Sequence, residues 1–257
     1  MTQDAVPASA VPAINPVAIS DLAAALRLGW RDFTRAPLFG LFFASVYVLG
    51  GWVMYLAVTV SGQVWWTLPA AAGFPILGPF IACGLYEVSR RIEQGRPLGW
   101  RSVLGVVWAE KNRQIPSMAV VIVVFFLFWN FLAHMIFALF MGLSTMTDVS
   151  SSLSVYLTPN GLAMLAVGTA VGAVFATLLF SVTVVSLPLL LDREIDFVTA
   201  MIVSFKTVQA SPPVMLGWGA FIALMVFAGM LPGFLGLLIV LPVLGHATWH
   251  LYRRALV

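Results

Sequence analysis

Apolar and polar positions alternate along this chain in long blocks, not in the short periods of strands. Six apolar stretches, 38–60, 64–88, 117–142, 161–191, 214–231 and 233–252, come near the roughly 20 residues a helix needs to cross ~30 Å of hydrocarbon. Pro232 and Gly233 divide the last two, and that pair suits a tight turn, so a hairpin is predicted. The fourth stretch exceeds one span and either tilts or continues past the interface.

Charge placement sharpens this count. All 13 Lys and Arg residues fall before the first stretch, between the second and third, between the fourth and fifth, or after the sixth. The other three connections carry none. By the positive-inside rule both termini and both basic connections are cytoplasmic. The reading is an all-α integral membrane protein of the inner (cytoplasmic) membrane, with six transmembrane helices in three hairpins.

Composition agrees with that class. Hydrophobic residues make up 61% of the 257 and charged residues 9%, with a mean hydropathy of +1.01. A soluble chain carries about 25% charge. The net charge of +3 then points to an anionic lipid surface, and no nucleic acid is expected. The one cysteine, Cys83, excludes an intrachain disulfide and sits in an apolar stretch as a packing thiol. Residues 1–19 lack the pattern of a cleavable signal and read as a disordered leader. Residues 20–254 read as one membrane domain.

An internal repeat organises that domain. Aligned without gaps, Asp21 meets Asp196, Ala25 meets Ala200, Trp30 meets Phe205, Arg31 meets Lys206 and Pro37 meets Pro212. "WRSVLGVVWAEKNRQIP" supplies a weaker middle copy, with Leu104, Trp108 and Arg113 in the places of Leu26, Trp30 and Arg35. The units are about 20–91, 97–191 and 192–254, each a cytoplasmic amphipathic helix followed by two spans. This is a parallel pseudo-repeat. In a helix over 19–36, Leu22, Leu26, Gly29, Trp30 and Phe33 share one side, and Arg27, Arg31 and Arg35 another. That pattern predicts a helix lying in the lipid interface, with Arg27, Trp30, Arg31, Arg35, Trp108 and Lys206 as interface contacts.

Candidate chemistry is sparse. His134 lies one turn beyond Asn130 in the third stretch, which predicts an interhelical hydrogen-bonded pair. His246 and His250 are four apart, a spacing two ligands on one helix can use, but no carboxylate is near them in sequence. Interface anchoring is the plainer reading; a haem or metal site is the weaker one. Asp192, Glu194 and Asp196 suit capping of the following helix. Ser-His-Asp, HExxH and paired-carboxylate patterns are missing from the sequence, so enzyme activity and a cofactor are not expected. "GFPILGPF" at 73–80 places Pro75, Gly78 and Pro79 inside an apolar run, predicting a kink or break. With Asn130, His134, Pro188 and Pro242 these form a candidate central cavity. Gly168, Gly172 and Ala176 form a small-residue stripe that predicts close helix packing.

"GWRDFTRAPLFGLFF", "GFPILGPFIACGLYEVSRRIEQGRPLGW" and "SLPLLLDREIDFVTAMIVSFKTVQASP" together resemble the bacterial predicted integral membrane proteins of domain-of-unknown-function family 2189 over residues 20–254. The third block is also similar to six-span proteins related to the membrane part of glycerophosphodiester phosphodiesterases, without their soluble catalytic domain. The resemblance implies a multi-pass inner-membrane protein and carries over no functional residues. Some relatives carry a cytochrome c oxidase label, yet an oxidase core needs more spans and more ligand histidines than the three here. The expected function is a non-enzymatic scaffold, assembly or accessory factor that binds lipids or other membrane proteins. The alternatives are a transporter or channel for a small or lipid-like solute, and, more weakly, a haem or redox-complex subunit.

Overall fold

The computed structural model describes residues 10–61, 67–142 and 156–257; the side chains of 58, 61 and 67–75 lie outside that description. The described residues form ten helices: α1 (Ile19–Arg35), α2 (Pro37–Ser61), α3 (Thr67–Glu93), α4 (Trp100–Glu110), α5 (Ile115–Met141), α6 (Pro159–Thr183), α7 (Ser186–Asp192), α8 (Phe197–Ala210), α9 (Pro212–Met230) and α10 (Leu237–Ala255). Among the described residues, four stretches are long and apolar enough to cross a membrane: Pro37–Ala57, Ile115–Met141, Pro159–Asp192 and Pro212–Met230. The two other expected spans correspond to α3 and α10. Both end in polar turns, with Glu87, Arg90, Arg91 and Glu93 in one and His246, His250, Arg253 and Arg254 in the other.

Helix boundaries follow local chemistry. The Asp196 carboxylate accepts from the Thr199 N–H and caps α8. Pro37 and Pro212 open α2 and α9, where a missing N–H costs nothing. The residues before them turn the chain alike: Ala36 has φ −136° and ψ 54°, and Ser211 has φ −146° and ψ 64°. Ala25 and Ala200, matched in the sequence repeat, are both fully buried. Gly233, at φ 61°, lets the chain reverse between α9 and α10, the turn expected at Pro232-Gly233.

Two expectations change. Of the kink or break expected at 73–80, the break is not seen, because α3 runs through those residues as one helix. Pro79 would have bonded the carbonyl of Pro75, so the two prolines fall on successive turns of one side, and the helix closes around them. The interruption lies instead at Val184-Val185, between α6 and α7. Pro188 there has no N–H for the Val184 carbonyl, and the Val185 N–H turns to the Ser204 hydroxyl of α8 at 3.1 Å. Of the leader, residues 1–9 lie outside the described residues, and 13–17 are held in place by hydrogen bonds. Residues 13–15 exchange backbone hydrogen bonds with residues 255–257, and the Val17 N–H donates to Ser211 Oγ at 2.9 Å. Pairing with the C-terminal end satisfies backbone groups that would otherwise need water.

The main core gathers at the end where α3, α7 and α10 finish and where α8 and α9 meet, around Leu189, Met215, Trp218, Trp249 and Tyr252. A second cluster joins Phe39 and Phe43 of α2 to Leu85 and Val88 of α3 and Val103 of α4.

Candidate functional site

Two features stand out of this frame: a buried polar cluster where α1 meets α10, and an apolar cleft among α2, α3, α5 and α6.

Helix α1 runs antiparallel along the C-terminal half of α10. Their backbones touch at Gly29, where a Cβ would stand 2.6 Å from the Val243 carbonyl oxygen and 2.7 Å from the Ala247 nitrogen. That approach brings Asp32 inside. His250 Nε2–H donates to Asp32 Oδ2 at 2.6 Å, and Arg31 donates to Oδ1 at 2.9 Å from the exposed flank. Asp32 is fully buried. Burial works against its charge, but the hydrogen bonds from His250 and Arg31 outweigh it and hold the carboxyl below its ordinary range. Behind this pair, Ser89 Oγ of α3 lies 2.8 Å from His246 Nδ1, while His246 Nε2 has no hydrogen-bond partner among the described residues. Glu87, also buried, accepts from Arg91 Nε at 2.6 Å and pairs with Arg90. Ser89 and His246 form a hydroxyl–imidazole pair, yet Ser89 is fully buried, so it lacks the exposure a nucleophile needs.

Sequence reading missed this cluster. His246 and His250 are not interface anchors; both are buried, and their partners lie 157 and 218 residues away. One signal was present. Asp32 continues the stripe of Ala25 and Gly29 at helical spacing, and a carboxylate on a small-residue stripe faces whatever packs there. Of the side read as apolar, Gly29 and Phe33 are buried and Leu22 and Leu26 pack on the core, while Trp30 is 52% exposed.

The same end of the bundle is tied by ion pairs. Arg253 meets Glu93 and Asp192, Arg254 meets Asp21, and Tyr252 donates to Asp192 at 2.8 Å. Arg113 joins Glu110 of α4 to Glu194 before α8. Burial pushes the Glu110 carboxyl up, against the pull of Arg113.

The cleft has a volume of about 770 Å³. Gly78 and Pro79 line it, as expected of α3, and so do Phe125, Trp129, Phe175 and Ala176. Pro75 falls among the side chains not described. The other expected members are elsewhere. Asn130 donates to the Phe126 carbonyl and His134 Nδ1 bonds the Asn130 carbonyl, so both turn back on their own helix and make no interhelical pair among the described residues. Pro188 is buried beside Leu189, and Pro242 packs on Gly40 and Phe33. Pro79, Pro188 and Pro242 therefore do not line one cavity. The small-residue stripe of α6 packs closely on α5 at Gly172, where a Cβ would meet the Trp129 ring at 3.0 Å; a Cβ at Gly168 would meet no described atom within 4 Å.

The expected interface residues are all exposed: Arg27, Trp30, Arg31 and Arg35 on α1, Trp108 on α4 and Lys206 on α8. Lys111 Nζ sits 3.6 Å over the Trp108 ring.

Comparison with known proteins fits this picture. The family model described as "Predicted integral membrane protein (DUF2189)" matches residues 67–192, just under half of the chain, from α3 to the end of α7. This is an integral membrane protein. No curated protein and no solved structure matches it. The matched region holds the basic connection and two of the four apolar stretches, together with Ser89 of the polar cluster and three of the four helices around the cleft.

Proposed function

We propose that this is a non-enzymatic protein of the bacterial inner membrane that holds anionic lipid at its cytoplasmic face and serves as a scaffold or accessory factor for other membrane proteins. The observation that carries this reading is the outer face of α1. Docking through Ala25, Gly29 and Asp32 turns Arg27, Trp30, Arg31 and Arg35 outward as one basic, aromatic-centred surface. Arg27 and Arg35 make no ion pair among the described residues.

Six spans with both termini cytoplasmic place this surface on the anionic leaflet. The ion pairs support that arrangement, since they draw together the ends of α3, α7 and α10 and the start of α1. The matching joints before Pro37 and Pro212, with buried Ala25 and Ala200, support a parallel repeat of helix, span and span.

The test is lipid retention by the full chain purified from mixed phosphatidylglycerol and phosphatidylethanolamine bilayers, read by native mass spectrometry. Wild type retains phosphatidylglycerol preferentially. R27Q/R31Q/R35Q loses the preference, at about 1 kcal/mol per charge removed. Equal retention of both lipids by wild type sinks the reading. Transport of a lipid-like solute is the second reading, favoured by the cleft, and it requires flux across proteoliposomes above that of empty vesicles.

A further inference from the structure

We infer that the cleft among α2, α3, α5 and α6 is a binding site for one acyl chain of a membrane phospholipid, entering sideways from the bilayer. Three of its walls belong to stretches able to cross the membrane. Helix α5 is buried at its start, through Ile115, Met118 and Ala119, and again at Ile136. The gap opens from Ile122 to Trp129, about 10 Å along the helix axis. Its volume of about 770 Å³ lies within the ~300–1,000 Å³ of ordinary ligand sites.

The lining selects hydrocarbon. Among the described residues no charged side chain lines it, and its polar side chains are Tyr47, Trp129 and Thr183. The Thr183 hydroxyl is spent on the Leu179 carbonyl at 2.7 Å, inside its own helix. An ion needs a shell of charged or polar ligands, which so apolar a lining is not built to supply. An acyl chain needs none, and the cleft is open to the outside of the bundle along α5 and α6. A second helix is the competing occupant, because Gly168, Gly172 and Ala176 carry the spacing that helices use to dock. That seat is already filled from within. The Trp129 ring lies against Gly172, and Phe175 packs with Phe125 and Phe128 at centroid distances of 6.3 and 5.7 Å.

The experiment uses the full chain in nanodiscs of phosphatidylcholine containing a fraction of phosphatidylcholine with a diazirine midway along one acyl chain. After illumination, adducts are mapped by tandem mass spectrometry. Adducts are expected on Phe125, Trp129 and Phe175. Ala176→Trp and Leu179→Phe, each filling the cleft, lower those adducts roughly tenfold, the ratio given by about 1.4 kcal/mol of lost binding. Adducts at exposed Leu139 and Leu224 stay at the wild-type level and report an intact fold. The inference is overturned if wild-type adducts confine themselves to Leu139, Leu224 and similar outer positions, or if lining adducts persist in both filled variants. Nanodiscs holding two copies with an unlabelled lining put a second copy in the cleft and overturn it as well. The probe lipid is zwitterionic, so this result is independent of the anionic-lipid test above.

Discussion

At the scale of single residues, the informative position is Asp32. A carboxylate taken fully out of water survives there because His250 and Arg31 both donate to it. Breaking a buried pair on one side costs ~3–5 kcal/mol, since the remaining partner stays desolvated. Asp32→Ala should therefore lower thermal stability in detergent markedly, while Asp32→Asn, which keeps an acceptor for His250, should lower it less. Equal melting of all three proteins would remove the pair from the stability of the fold. The pH dependence has a definite sign. The folded carboxyl lies below its ordinary 3.8, so its contribution is present above that value and is lost as pH falls through the folded one. Hydrogen exchange in α1 should accelerate under acid only below the ordinary carboxylate range, and Asp32→Asn should abolish that step. Gly29 answers a different question. Its Cβ has no room against α10, so Gly29→Leu should loosen α1, at the ~1–3 kcal/mol of an overpacked contact, and speed tryptic cleavage at Arg27 and Arg31.

At the scale of elements, the legible and the illegible divide on physical grounds. Four apolar stretches showed plainly, because twenty apolar residues in a row have one solvent. The joints at Pro37 and Pro212 and the turn at Gly233 showed as well, since proline and glycine restrict or free the backbone locally. What stayed hidden was pairing between distant segments. Nothing near His246 or His250 in sequence announces Ser89 or Asp32, so two buried residues looked like interface anchors. The prolines misled in the opposite direction, because their effect depends on what catches the freed groups. In α3 the helix closes around Pro75 and Pro79; at Pro188 a hydroxyl from α8 takes the Val185 N–H and the helix parts. That contrast is testable. Ser204→Ala leaves the buried Val185 N–H without its acceptor and should destabilise by ~1–3 kcal/mol. Ser204→Thr keeps the hydroxyl and should cost less, and identical losses would mean that the break does not need the bond.

At the scale of the whole molecule, the argument turns on which ends share a side. Arg254 pairs with Asp21 and Arg253 with Glu93 and Asp192, which gathers segments far apart in sequence at one end of the bundle. The far end is marked by Trp52 of α2, whose Nε1–H donates to the Gly233 carbonyl at 2.7 Å in the turn between α9 and α10. If α3 and α10 cross as α2 and α9 do, every basic connection lies on one face, and Gly233 lies on the other. The polar last turns of α10, with His246, His250, Arg253 and Arg254, shorten its apolar part, and the apolar start of α3 lies at 67–75, outside the described side chains. Single-cysteine chains decide it, built on Cys83→Ala because Cys83 is buried. Cysteine at position 101 or 254 should react with a membrane-impermeant maleimide only from the cytoplasmic side of sealed vesicles, and cysteine at 233 only from the opposite side. Position 254 reacting from the side of 233 would mean that α10 turns back within the bilayer, and the ion pairs to Glu93 and Asp21 would then have to form in some other arrangement. Opposite sidedness for 101 and 254 would break the one-sided distribution of charge on which the lipid-holding face of α1 depends.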